Sequence, residues 1–496
     1  VFNFFKKKES SVVGNVVHDL AQKVEDKVQP QPGLFLLDNT MRKKVAGTIT
    51  EVTKPFLLFI HGTNSNTEGA FGALLDNRQF GLWNFITTTY GENILTYDHK
   101  TFTQSPLQNV ADLLQLLPNN CTLHLITHSR GGLVGDVLAR CSATNTNVGF
   151  SEIEMGLFTD GSDSKKYMVN INMLAKKKNI IVRKFIRVAS PSMGTSLLSD
   201  RIDHYLNTIL NFIGISTGII ANPVYAALKS LLAEVAATKS NVDVLPGIEA
   251  MVPDSPFIKM LNNPANIIES PLTVISGNCT LHVELKALLV ILTKLYFRRK
   301  NDMVVDTWSM YFGTPRKKEI WFFLDDAKDT DHIHYFRSKD SQEAITRALG
   351  AATDVIAGFK TLQEADISDA NRNAAIAPFA TAEVKMDLVK ITGTKPIAII
   401  LPGIMGSNLY RDDNKVWVNF WSFVKGDLIK LDINAANISA PSLMGSSYLK
   451  LAKYLSNKYD VLPFAYDWRK SLTEEAKKLD DTIKILLAKK QPIHVI

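Results

Sequence analysis

The segment Thr127-His128-Ser129-Arg130-Gly131-Gly132 constrains this chain more than any other. It follows Cys121 to Ile126 (CTLHLI), a short β-branched and apolar run, and it leads into Gly132 to Arg140 (GLVGDVLAR), which has helical periodicity. A strand therefore runs into a helix at the serine. Such a turn holds the serine at an unfavourable backbone angle and exposes its hydroxyl, and strand and helix pass closely only if the residues two before and two after it are small. Gly131 meets that demand, whereas Thr127 meets it only in part, because the usual pattern is G-x-S-x-G. Taken alone, the segment reads equally as a tight turn capped by serine.

The order of elements around it narrows the choice. Pro55 to Ile60 (PFLLFI) reads as a buried strand ending in His61-Gly62-Thr63-Asn64, and Asn93 to Asp98 (NILTYD) reads as a second, with a helix around Phe80 to Thr89 between them. An amphipathic stretch, Leu107 to Leu117, precedes the serine strand, and Ile180 to Ala189, Pro271 to Ser276 and Glu319 to Leu324 read as later strands. Strands alternating with helices predict an α/β fold with a mostly parallel sheet. A long apolar and mainly helical region, about 197 to 261 and including Ile209 to Ile220, is either packing helices or a cap over the site that contacts acyl chains.

A serine hydroxyl is a poor nucleophile until a histidine takes its proton, and that histidine needs a carboxylate to fix its tautomer. With the partners following in the order serine, acid, histidine, the acid falls in Asn301 to Ser309 (NDMVVDTWS), with Asp302 preferred and Asp306 second. The histidine falls in Asp331 to Phe336 (DHIHYF), with His332 preferred over His334. His128 should point away from its neighbour Ser129. The backbone N–H of Arg130 and one from the His61-Gly62 loop, Thr63 or else Asn64, are the candidate oxyanion donors.

Composition excludes little but sets the frame. With 496 residues the chain is long enough for about three domains, and its make-up is that of a globular protein. Three widely spaced cysteines, Cys121, Cys141 and Cys279, show neither a disulfide framework nor metal-ligand spacing, which predicts a reducing, cytoplasmic location and no metal or other cofactor. The net charge of +7 comes from scattered clusters at residues 6–8, 176–178, 298–300 and 316–318, read as solvated surface, with contact to an anionic membrane second and nucleic acid discounted as a partner. No run is long and apolar enough to span a bilayer.

Taken together, residues 55–350 resemble the α/β-hydrolase superfamily, in its lipase and esterase branch. Asp302 to Ser309 is similar to the acid-loop pattern N-D-G-x-V-P-x-x-S of lipases, with Met303 and Asp306 in place of glycine and proline, and His332-x-x-Tyr335-Phe336 looks like their histidine segment. Leu245-Pro246-Gly247 through Asp254-Ser255-Pro256-Phe257 looks like their cap-exit segment. A second resemblance begins at Lys395: Pro396 to Asn408 (PIAIILPGIMGSN), Trp417, Trp421 and Tyr466-Asp467-Trp468-Arg469 are similar to the lecithin:cholesterol acyltransferase family, also α/β hydrolases. The halves also match one another, Lys54-Pro55 with Lys395-Pro396, Tyr97-Asp98 with Tyr466-Asp467, and His124-Leu125-Ile126 with His494-Val495-Ile496.

The expected organisation is an N-terminal extension (1–48), an α/β-hydrolase domain (49–350), a linker (351–393), and the N-terminal half of a second α/β-hydrolase domain (394–496) whose elbow would lie in a longer polypeptide beyond Ile496. Within the extension, Val12 to Val28 reads as amphipathic, and LFLL and VAGTI read as edge strands. The expected function is a serine carboxylic-ester hydrolase acting on an ester or lipid substrate, with acyl transfer as a variant and peripheral membrane contact through Phe2 to Lys8 as a secondary expectation. A peptidase or amidase with the same triad, or an interaction module with a degenerate site, are the alternatives.

Overall fold

The computed structural model describes residues 2–46, 53–76, 81–198, 223–238, 244–279, 300–327, 330–353, 355–371, 383–385, 391–417 and 430–496. Described residues up to 371 form one compact unit and those from 383 onward a second.

The first unit is built on a nine-stranded sheet. Its strands are β1 (Gly33–Leu37), β2 (Lys43–Val45), β3 (Phe56–Ile60), β4 (Ile94–Asp98), β5 (Thr122–His128), β6 (Ile181–Val188), β7 (Thr273–Gly277), β8 (Trp321–Asp325) and β9 (Lys360–Thr361). They lie in the order β2-β1-β4-β3-β5-β6-β7-β8-β9. Strands β3 to β8 are mutually parallel, while β1, β2 and β9 run antiparallel to their neighbours. All five residues of β3 are buried, as expected of a central strand covered on both faces. Each such large apolar side chain contributes about 1.5–3 kcal/mol on burial.

Helices connect the parallel strands, α2 (Leu82–Tyr90), α3 (Pro106–Leu116), α4 (Gly131–Arg140) and α5 (Asp163–Lys178), and α7 (Lys339–Gly350) follows the last of them, β8. Their ends are set by local chemistry. Ser105 caps α3 through the Gln108 N–H and Pro106 occupies its first turn, while α5 starts at Ser162 and stops at Asn179, which takes the left-handed conformation. The α/β class and the mostly parallel sheet thus match the expectation, and this strand order with a serine turn after its central strands is the α/β-hydrolase fold.

Several expectations need correction. Residues 1–48 are not a separate extension: β1 pairs with β4 inside the sheet, and α1 (Phe2–Val28) packs against α6 (Pro223–Thr238), one of the described parts of the apolar 197–261 region. Of VAGTI, Val45 lies in strand β2, while residues 47–49 lie outside the described residues. The run Ile209 to Ile220 and Trp421 lie outside the described residues. The 316–318 cluster is not wholly solvated surface, because Arg316 is fully buried against Asp136, which also takes Arg187 from β6. A buried arginine is tolerable only when paired in this way.

The second unit holds a four-stranded antiparallel sheet of β10 (Glu383–Lys385), β12 (Ser407–Arg411), β13 (Asn414–Trp417) and β14 (Ile438–Met444), ordered β10-β14-β12-β13. It also holds a parallel trio, β11 (Ile397–Ile400), β15 (Asp460–Pro463) and β16 (Ile493–Val495), ordered β15-β11-β16 and joined through α8 (Gly445–Leu455) and α9 (Leu472–Leu487). The trio repeats the relation of β4, β3 and β5. Leu57 pairs with His124 in the first unit, and Ala398, the same distance after its Lys-Pro, pairs with His494 in the second. The Tyr-Asp match is two residues out of step, since Thr96 and Pro463 hold equivalent positions against Phe59 and Ile400, which places Phe464, not Tyr466, opposite Tyr97. Asp98 ends its strand, whereas Asp467 lies beyond the end of β15.

Candidate active site

Ser129 sits where β5 turns into α4, at φ +53°, the left-handed region that a non-glycine residue occupies only under constraint. The constraint comes from close packing. A Cβ at Gly131 would lie 2.4 Å from the Ile60 carbonyl oxygen, and one at Gly132 would lie 2.4 Å from Ser190 Oγ. Thr127 fits where glycine is usual because Gly135, about one turn into α4, leaves room: a Cβ there would come 2.9 Å from the Thr127 methyl.

Of the two histidine candidates, the fold brings His332 to the serine: its Nε2 lies 2.8 Å from Ser129 Oγ. His334 instead pairs with Asp331 at 2.6 Å. On the far side of the imidazole, His332 Nδ1 lies 2.8 Å from Asp302 Oδ2. The second acid candidate, Asp306, accepts from Ser196 Oγ at 2.7 Å. Ser129, His332 and Asp302 are almost completely buried, at 5%, 5% and 0% exposure, so their hydrogen bonds act in a medium that screens them weakly.

The acid is held from every side. Asp302 Oδ1 accepts the backbone N–H groups of Val304 at 3.1 Å and Val305 at 2.8 Å, while its carbonyl accepts the His332 N–H at 3.0 Å. The tight turn that allows this puts Met303 at φ +84°, so methionine keeps the left-handed backbone for which the resembling pattern uses glycine. Ser309 ties the acid loop to the loop after β6, donating to the Gly194 carbonyl at 2.7 Å.

Two contributions were not read from the sequence. Tyr335 Oη donates to Asp302 Oδ2 at 3.0 Å, burial and the adjacent carboxylate keep its phenol well above the ordinary range, and Gly277 leaves space for its hydroxyl. The His128 Nε2–H donates to the His332 carbonyl at 2.7 Å, bracing that residue from behind. Burial pushes His128 down to about 3, so it stays neutral.

The oxyanion candidates flank the serine. Arg130 is the N-cap of α4, and its buried guanidinium is fixed by Gly247 and Gln104 carbonyls and by Asn109 Oδ1. Gly62 packs so tightly that a Cβ on it would lie 2.7 Å from Ser129 Cβ. Thr63 follows it, its hydroxyl 3.8 Å from Met251 Sδ, and Asn64 takes φ +51°. Among the described residues no cluster suited to a metal ion occurs, and no helix is long and apolar enough to cross a membrane.

Fold and site geometry together define an α/β hydrolase fold with a hydrogen-bonded Ser–His–Asp group at its elbow. The chain belongs to the family described as Domain of unknown function (DUF7379), whose model matches residues 25–155 and 161–350, more than half of the chain. No curated protein matches it. Solved structures to which it is similar include lipase BlEst2 of Bacillus licheniformis (14% identity, 64% of this chain and 96% of that one, TM-score 0.30). Lipase 1 of Pelosinus fermentans is another (13%, 60% and 99%, TM-score 0.39), as is EstA of Clostridium botulinum (11%, 67% and 97%, TM-score 0.37).

Proposed function

We propose that this protein is a serine hydrolase acting on carboxylic esters, of the lipase and esterase type. The observation that carries the reading is the continuous relay Ser129 Oγ, His332 Nε2, His332 Nδ1, Asp302 Oδ2, with both contacts at 2.8 Å and the serine on a strained elbow. Ser129 Oγ attacks the ester carbonyl carbon as its proton passes to His332 Nε2, and Asp302 stabilises the imidazolium. The N–H groups of Thr63 and Arg130 receive the charge that develops on the carbonyl oxygen. Collapse breaks the ester C–O bond and the proton moves from His332 to the departing alcohol. Water, deprotonated by His332, then attacks the acyl-enzyme and releases acid and free serine. An alcohol in place of water gives acyl transfer, and the resemblance of residues 395–496 to acyltransferases of lipids favours a lipid ester. Those residues are read as a second copy of the fold's nucleus, a reading supported by the shared strand order and the shared His124 and His494 register.

The test is labelling with a fluorophosphonate alongside hydrolysis of p-nitrophenyl butyrate. Wild type is expected to be labelled at Ser129, and Ser129→Ala to lose the label and to drop in kcat on the order of 10⁶-fold. Equal labelling of the two proteins would end the assignment.

A further inference from the structure

The last turn of α1 reaches the loops that border Ser129. Glu25 is 3% exposed, and its Oε1 accepts the backbone N–H groups of Thr101 at 2.5 Å, Phe102 at 2.6 Å and Thr103 at 3.3 Å, while Oε2 accepts the Thr103 hydroxyl. One carboxylate thus holds the loop after β4. Thr101 passes this order on, because its Oγ1 accepts the N–H of Asn64 at 3.1 Å, in the loop after β3.

Gln29, 4% exposed, acts on the same loop directly. Its amide nitrogen donates to the Ser65 carbonyl at 2.8 Å and also to His61 Nε2, which accepts the His99 N–H at 3.2 Å as well. An Nε2 that accepts from these donors leaves the proton on Nδ1, and His61 Nδ1–H donates to the carbonyl of Gly62 at 2.9 Å. Burial pushes His61 down to about 4, which keeps the ring neutral. The consequence falls on the next peptide. In a planar trans peptide the C=O and N–H point to opposite sides, so fixing the Gly62 carbonyl on the His61 ring fixes the direction of the Thr63 N–H. Asn66 adds a third tie, donating to the Val28 carbonyl at 2.8 Å. The family match begins at residue 25 and so includes this turn.

We infer that Gln29 and Glu25 are positioning residues for the oxyanion loop, with Gln29 acting through the His61 ring on the Gly62–Thr63 peptide. This rests on the proposed ester hydrolysis at Ser129. Neither residue touches the reacting atoms. Their effect belongs on the transition state, where the oxyanion forms, and not on ground-state binding.

The experiment compares wild type, Gln29→Leu, Glu25→Gln and Glu25→Ala, with p-nitrophenyl butyrate turnover expressed per serine titrated by fluorophosphonate, so that unfolded protein does not count. Gln29→Leu is expected to lower kcat about 10- to 100-fold with KM within two-fold. Affinity for a trifluoromethyl ketone, which forms a tetrahedral oxyanion on the serine, should fall in parallel. Glu25→Gln, whose amide oxygen still accepts the backbone N–H groups, should retain more activity than Glu25→Ala. If Glu25→Ala fails to fold, Gln29→Leu decides. Wild-type kcat and ketone affinity in Gln29→Leu would overturn the inference while leaving the hydrolase reading intact. An unlabelled, inactive wild type would instead bring down both.

Discussion

Asp302→Asn is expected to lower kcat by about 10⁴-fold with little change in KM or stability. The loss follows from how the carboxylate is held. Oδ1 accepts two backbone N–H groups, from Val304 and Val305, so the oxygen of an asparagine amide must take that place and its NH2 group must face His332 Nδ1. A donor there forces Nδ1 to accept, which moves the imidazole proton to Nε2. His332 would then present an N–H to Ser129 Oγ, where a base is required. The tautomer is inverted without any displacement of atoms, so substrate binding is spared. The measurement is kcat and KM for p-nitrophenyl butyrate in the two proteins, per titrated serine. A variant within ten-fold of wild type would show that Asp302 does not orient the base.

The second large effect is on stability against acid. Four buried histidines are held neutral: burial pushes His61 and His124 down to about 4 and His128 down to about 3, and drives His99 well below the ordinary value. In the unfolded chain all four return to the ordinary histidine value of 6.5. The unfolded state therefore binds more protons between 6.5 and about 4, and stability, complete above 6.5, is lost as the pH falls through that window. Each histidine contributes a slope approaching about 1.4 kcal/mol per pH unit. Four together remove several kcal/mol between pH 6 and 5, comparable with the whole stability of a typical domain, about 5–15 kcal/mol. The urea midpoint should fall steeply from pH 7 to 5, and His124→Gln, remote from Ser129, should flatten the slope by about one proton. A midpoint constant across that range would contradict the assigned burial of these rings.

Much of this architecture was legible in the sequence because it is written locally. The parallel strands carry short apolar runs, and the elbow carries its serine and glycines within six residues. Chain order narrowed the acid to Asp302 or Asp306 and the histidine to His332 or His334. What escaped depends on contacts between distant residues. Glu25 has the appearance of any charge on an amphipathic helix, yet the loop it holds lies 76–78 residues away. Nothing periodic in Leu34 to Leu37 announces that this strand enters the sheet beside β4 and antiparallel to it. Arg316 read as part of a basic cluster because sequence shows its charged neighbours and not Asp136, 180 residues away. The Tyr-Asp match between the halves misled for a related reason: identical letters were aligned, but β15 ends at Pro463 and the chain leaves the sheet before reaching them.

The accommodation of Thr127 by Gly135 also bears on how such chains can diverge. The two positions lie on different elements, strand and helix, yet share a single methyl-sized volume. That volume is also bounded by the Phe185 ring of β6, which would lie 2.7 Å from a Cβ at 135, so emptying position 127 would not by itself make room in the helix. Glycine at 135 is thus fixed by two neighbours at once, one on β5 and one on β6, and a side chain there would drive α4 from the sheet and release Ser129 from its strained angle.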